Sequence, residues 1–140
     1  MKKSFTLIEI LVVVTIIVLL TATAVVTYTA FLKQSRDAKR KADLEQVRAA
    51  VEMYRSNNNT YPVGSWSNLS VLTSGTVYIQ SVPTDPKNST YIYYYNGSLS
   101  DYTLAAQFEN TSSCTSGAPG GNSCGAGNPC NYCVGPYGQK

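Results

Sequence analysis

Histidine is absent from this 140-residue chain. Its absence removes the commonest general base and the commonest metal ligand, so the composition argues against an enzyme. Charge is also scarce: Asp, Glu, Lys and Arg together make 14%, and the net charge is +3. That balance makes no case for nucleic-acid binding. The scarcity is sharpest from Ile10 to Leu32, where no residue carries a formal charge. Gly and Pro are missing from Lys33 to Arg55, and from Val18 to Val26 as well. Neither stretch therefore contains a strong helix breaker. A chain this short has room for one compact domain and little more.

The uncharged stretch is mostly Val, Ile, Leu, Ala and Thr. As a helix it spans roughly 35 Å at about 1.5 Å per residue, enough to cross a bilayer core. Thr15, Thr21, Thr23, Thr27 and Thr29 lower its hydrophobicity. A helical Thr hydroxyl can bond the carbonyl one turn back, which makes it tolerable in lipid. The buried core helix of a soluble protein fits poorly, because so small a chain could hardly surround it. Lys2 and Lys3 before the apolar stretch, with Ala22-Thr23-Ala24 beyond, also match a secretory signal, which would leave a secreted soluble binding domain. Glu9 opposes that reading. A carboxylate deep in a membrane helix costs on the order of 3 kcal/mol on insertion scales, and less near the interface. A signal peptide has no use for it, whereas a membrane-embedded carboxylate is a functional-site candidate that needs a partner.

Met1-Lys2-Lys3-Ser4, followed by Phe5-Thr6-Leu7-Ile8-Glu9-Ile10-Leu11-Val12-Val13-Val14, resembles the class III signal of type IV pilins and type II secretion pseudopilins. In that family a prepilin peptidase removes a short basic leader, and the exposed Phe amine is methylated. The acid five residues into the mature chain pairs with a neighbour's N-terminus. The resemblance implies cleavage between Ser4 and Phe5, N-methylation of Phe5 and an assembly role for Glu9. The leader ends in Ser4 where the family has Gly. The resemblance further implies a precursor in the inner (cytoplasmic) membrane, with its N-terminus in the cytoplasm and its domain outside. Its implied partners are the prepilin peptidase, the inner-membrane pilus or secretion assembly machinery, and further copies of itself in a helical filament outside the cell. Cleavage would create an ammonium at Phe5, one helical turn from Glu9. At an effective dielectric near 20, a pair about 4 Å apart gains about 4 kcal/mol before desolvation. Such pairing selects an axial register more than it adds net stability. The positive-inside count runs the other way. Only Lys2 and Lys3 precede the span, while Lys33, Arg36, Lys39, Arg40 and Lys41 follow it.

The chain divides on this reading into a leader (1–4), a transmembrane and filament-core helix (5–32), an amphipathic helix half (33–56), a globular part (57–109) and a Cys/Gly-rich tail (110–140). Leu44, Val47, Val51 and Tyr54 fall on one helical face. One continuous helix from Phe5 to about Arg55 is expected, with a coiled coil as the alternative. The basic residues along it are read as a solvated or inter-subunit face, with Asp37, Asp43 and Glu45 at pairing distances; DNA or anionic lipid is the alternative. Asn57-Asn58-Asn59 and Pro62 end the helix. The Tyr61-Pro62 exit and the Val82-Pro83-Thr84-Asp85-Pro86 turn resemble the same family. A short helix is expected near Trp66 to Leu72, and strands at Val77–Ile79, Thr90–Tyr95 and Asp101–Phe108, with Asn96-Gly97 as a reversal. The expected fold class is α+β, the helix packing on an antiparallel sheet of three or four strands. Alternating Tyr suits a sheet with one packed and one wet face.

The tail holds Cys114, Cys124, Cys130 and Cys133, and little else in it promises a core. Two disulfides suit an exported domain better than a zinc site or a redox-active CxxC, and their pairing is open. Five N-x-S/T matches arise readily in so Ser/Thr/Asn-rich a chain and identify no glycosylation site. Beyond Glu52 the carboxylates are Asp85, Asp101 and Glu109, too few for a calcium cage. No cofactor and no metal are expected. The function this supports is a structural subunit, first the major pilin of a type IV pilus. The alternatives are a major pseudopilin of type II secretion and a secreted binding domain.

Overall fold

The structure, a computed structural model, describes residues 5–110, 114, 123–125, 127 and 129–139, with the side chains of Val25 and Val26 left out. The chain divides into two compact units, Met1–Ser35 and Arg36–Lys140. One helix, α1 (Leu7–Asn58), supplies most of the first and opens the second. Thr6 caps its start: the Glu9 amide donates to the Thr6 hydroxyl at 3.4 Å, and the Thr6 amide donates to the Glu9 carboxylate at 3.4 Å. This reciprocal pairing is a capping box. Within the first unit Thr15 donates its hydroxyl to the Val12 carbonyl at 2.8 Å, and Thr23 to that of Leu20 at 2.9 Å. Thr21 and Thr27 also bond back one turn. These four threonine hydroxyls are thereby satisfied without water. Every described side chain from Ile10 to Leu32 is exposed. The helix is long and apolar enough to cross a membrane.

The helix ends later than the polar run suggests. Asn58 donates its amide to the Tyr54 carbonyl at 2.9 Å, and Asn59 adopts φ 59° while its N–H reaches the Arg55 carbonyl. An Asn in this left-handed conformation is a helix stop. A 3-10 helix follows at Trp66–Thr73.

Five strands form one antiparallel sheet in sequential order: β1 (Gly64–Ser65), β2 (Tyr94–Gly97), β3 (Tyr102–Ala106), β4 (Tyr132–Gly135) and β5 (Gly138–Gln139). Leu44, Val47, Ala50 and Val51 of α1 pack with Leu69, Leu72, Tyr95, Tyr102, Leu104 and Val134 into one buried core. All five residues of β3 are buried, so both faces of the sheet are covered there. Tyr102, Leu104 and Ala106 belong to the core with α1, and Ala105 packs in a second cluster with Cys124, Cys130 and Cys133. This is the alternation a strand imposes.

Several local expectations are corrected. Val77–Ile79 is not a strand, because the Tyr78 and Ile79 amides both donate back to the Leu72 carbonyl. Thr90–Tyr93 is not one either: the Thr90 and Tyr91 amides close a turn onto Lys87, and that of Ile92 donates to the Cys124 carbonyl. Asn96-Gly97 lies inside β2 and pairs with both β1 and β3. A Cβ at Gly97 would collide with the Pro62 carbonyl and the Tyr95 hydroxyl. The reversal is made instead by Ser98 and Asp101, whose backbones bond at 2.8 Å. The tail supplies β4, and with it Tyr132 and Val134 to the core. The sheet thus gains the strands that make it five rather than three or four.

Candidate functional site

Phe5 and Glu9 stand at the exposed start of the first unit, with Phe5 74% accessible. Ser4 lies outside the described residues. The bonds from Thr6 to the Glu9 carboxylate are long, 3.4 and 3.5 Å. Contacts this long are weak, and a carboxylate has about four acceptor sites, so Glu9 keeps capacity for a cation.

The second unit opens with a buried ion cluster. Arg40 is fully buried and bonds Asp85 in a two-pronged fashion, at 2.7 and 3.1 Å, while reaching Asp37 at 2.8 Å and Glu109 at 3.2 Å. Arg36 grips Glu109 through two bonds of 2.5 and 2.6 Å, and Lys87 adds a third cation at 3.1 Å. Asp37 accepts the backbone amides of Glu109 and Asn110, each at 2.9 Å. The Arg40 guanidinium also lies over the Tyr91 ring, 5.1 Å from its centre. Three cations and three carboxylates are therefore matched across α1, the segment 85–87 and the segment after β3. The hydrogen bonds from Arg36 lower the Glu109 pKa to about 2, against its burial, with Lys87 and Arg40 adding to the effect. Burial pulls the Arg40 pKa down, but Asp85, Asp37 and Glu109 outweigh it and raise it.

These contacts revise the reading of the basic cluster. Lys33, Lys39 and Lys41 are exposed, but Arg40 is buried and Arg36 is half-buried. The partners Asp85 and Glu109 lie far along the chain, where helical spacing gives no sign of them. Only the Asp37–Arg40 pair had a local signal, its one-turn separation.

A second set of bonds pins the helix further along, from Asp43 to Arg55. Tyr102 donates to Glu52 at 2.8 Å, Tyr61 meets both Glu52 and Arg55, and Tyr93 donates to Asp43 at 2.7 Å. Several of the tyrosines facing the core thus carry their hydroxyls to polar groups of α1, as buried Tyr generally must.

The cysteines pair as Cys114–Cys133 and Cys124–Cys130, with Cα–Cα separations of 5.4 and 5.1 Å. Both separations suit a disulfide. The two bridges sit over Ala105 and Tyr94 on the sheet face turned away from α1. Among the described residues no group of His, Cys, Asp or Glu is arranged to hold a metal ion.

The arrangement offers an apolar rod, an acid near the rod's start and a stapled domain. No curated protein and no solved structure matches the chain. A family model described as "Type II secretion system (T2SS), protein G" matches residues 27–123, well over half of the sequence, and the chain belongs to that family.

Proposed function

We propose that this chain is the repeating subunit of a helical filament, built from a membrane-held precursor. Its family is one of structural secretion subunits, not of enzymes. The observation that carries the reading is the first half of α1, uncharged and exposed from Ile10 to Leu32 in every described side chain. Such a surface demands an apolar environment. Lipid supplies it first, with the N-terminus in the cytoplasm and the domain outside; neighbouring copies supply it later. Prepilin peptidase cuts between Ser4 and Phe5, and Phe5 is N-methylated. Glu9 then pairs with the new amine of a neighbour. That contact joins different patches on successive copies, which is the geometry of an open helical assembly. Extraction from the membrane is driven by separate inner-membrane machinery.

The filament is read first as a type IV pilus, with this chain as its major pilin. Two disulfides packed on the outer sheet face suit a surface fibre. The family relation favours the second reading, a major pseudopilin of a type II secretion system. Mass spectrometry of the mature chain tests both. A methylated N-terminus at Phe5 is expected, and a start at Val25 would refute them in favour of an ordinary signal peptide. Shearing followed by negative-stain microscopy then separates long surface fibres from a short periplasmic structure. Glu9→Ala is expected to insert normally yet yield few filaments; unchanged filament number and length would remove Glu9 from assembly.

A further inference from the structure

Tyr137 is 97% exposed. Every other tyrosine of the second unit is buried or half-buried. It stands on the two-residue turn between β4 and β5, where Gly135 pairs with Gly138. The turn is braced from below, since the Pro136 carbonyl accepts a bond from Arg48 at 3.3 Å. The brace fixes the backbone of the turn, so docking costs chiefly the rotamer freedom of the ring itself.

At the opposite edge of the same sheet lies a cleft of about 440 Å³. Trp66, Tyr91, Ile92 and Tyr93 line it, with Thr84 and Asn88 among its polar lining residues. Its walls are already fixed. Trp66 leans on Tyr93 with ring centres 5.3 Å apart, and Tyr93 is tied to Asp43. Tyr91 lies under Arg40, and the Ile92 amide is held by the Cys124 carbonyl. Preformed, aromatic-lined hollows are what an amphipathic ring fits, its edge against other rings and its hydroxyl toward a polar rim.

We propose that Tyr137 of one copy docks into the Trp66–Tyr93 cleft of the next. The knob is in the turn that ends the sheet at β5, and the hollow is built beside β1 at the other end. One chain therefore carries two different complementary patches that face different partners. Contact of this kind is heterologous and repeats without closing, as a filament requires. The proposal rests on the filament reading above and adds to it a specific contact between the folded domains. It also gives a use to an exposed aromatic ring and to a hollow that stands open among the described residues.

The chain has a single tryptophan, and it lines the cleft. Acrylamide quenching of its emission therefore reports whether the cleft is covered. The first measurement compares intact sheared filaments with the full-length chain solubilised in detergent. A severalfold loss of quenching in filaments is expected; equal quenching overturns the docking. The second places photo-reactive benzoylphenylalanine at position 137 in cells that make filaments. Expected after irradiation is a dimer whose adduct maps to residues 65–67 or 91–93 of a neighbouring copy. Adducts elsewhere, or none between copies, overturn the docking while leaving the filament intact. Absence of any filament containing this chain overturns both readings.

Discussion

Replacing Arg40 with Met removes the guanidinium at the centre of the ion cluster while keeping most of the apolar stem. Neither the Arg40 nor the Asp85 side chain has any solvent exposure. After the change Asp85 retains the Lys87 backbone amide at 2.7 Å but, among the described residues, no ion-pair partner. Asp37 keeps its bonds to the amides of Glu109 and Asn110, so the damage centres on Asp85. Breaking a buried pair from one side costs about 3–5 kcal/mol, chiefly through the carboxylate left behind. Arg40→Met is expected in that range, whereas Arg40→Met with Asp85→Asn should lose much less than the sum of the two single changes. Glu45→Gln is the matched control. Glu45 and Arg48 share the same i,i+3 spacing as Asp37 and Arg40, at 3.2 Å, but their side chains are 45% and 28% exposed. Exposed pairs contribute about 0–1 kcal/mol. Urea unfolding of the full-length chain in detergent, followed by Trp66 emission, reads all four variants. The reasoning fails if Arg40→Met costs no more than Glu45→Gln, or if the double change is additive.

The Glu109 pKa is lowered from 4.5 to about 2 by Arg36, then by Lys87 and Arg40. Its contribution is therefore full above the unfolded value and is lost as pH falls through the folded one. Thermal melts between about pH 5 and pH 2 should fall more steeply in the wild type than in Glu109→Gln; parallel curves would deny the linkage. The disulfides close loops with sequence separations of 19 and 6. Chain entropy assigns them about 3 and about 2 kcal/mol respectively. Removing Cys114–Cys133 by paired Ser substitution should thus lower the melting temperature more than removing Cys124–Cys130, and the reverse order would refute the entropic account. Gly97→Ala should destabilise by about 1–3 kcal/mol through overpacking against the Pro62 carbonyl, with a neutral result in urea unfolding as the contrary outcome.

The helix was readable because its signals are local and redundant: an uncharged run, an apolar stripe at Leu44, Val47 and Val51, and no breaker until the asparagines. The helix runs three residues past Arg55, because Asn58 still bonds back to Tyr54, and the stop falls among the asparagines, at Asn59. The strands were less legible. Thr90–Tyr93 has strand propensity, but its amides are claimed by Lys87 and Cys124, a choice made by partners distant in sequence. Asn96-Gly97 has the composition of a tight turn, yet Gly is needed there for close approach of Pro62 and Tyr95. In the tail, the glycines and cysteines hid the short run Tyr132-Cys133-Val134, whose alternation serves the core and the disulfide at once. The ion cluster was the least legible element. Asp85 and Glu109 stand isolated in the sequence, far from the helix arginines that pair with them.

The cluster and the hydrophobic stripe do different physical work in the second unit. Apolar burial supplies most of the driving force, but it is non-directional, and a stripe of Leu and Val tolerates small slides and rotations. Two-pronged arginine–carboxylate bonds do not tolerate them, because both prongs depend on the planar geometry of the fork. Arg36 and Arg40 hold the first turns of the second unit to Glu109 and Asp85 in this way. Asp43 fixes the middle through Tyr93, and Glu52 fixes the far end through Tyr61 and Tyr102. A buried ion pair is a poor source of net stability compared with a well-packed apolar replacement. Three fixed points along one helix are better understood as setting its rotation and register on the sheet. A helix that slid by one residue would carry Leu44 and Val47 off the core, and would do so only by breaking all three anchors together.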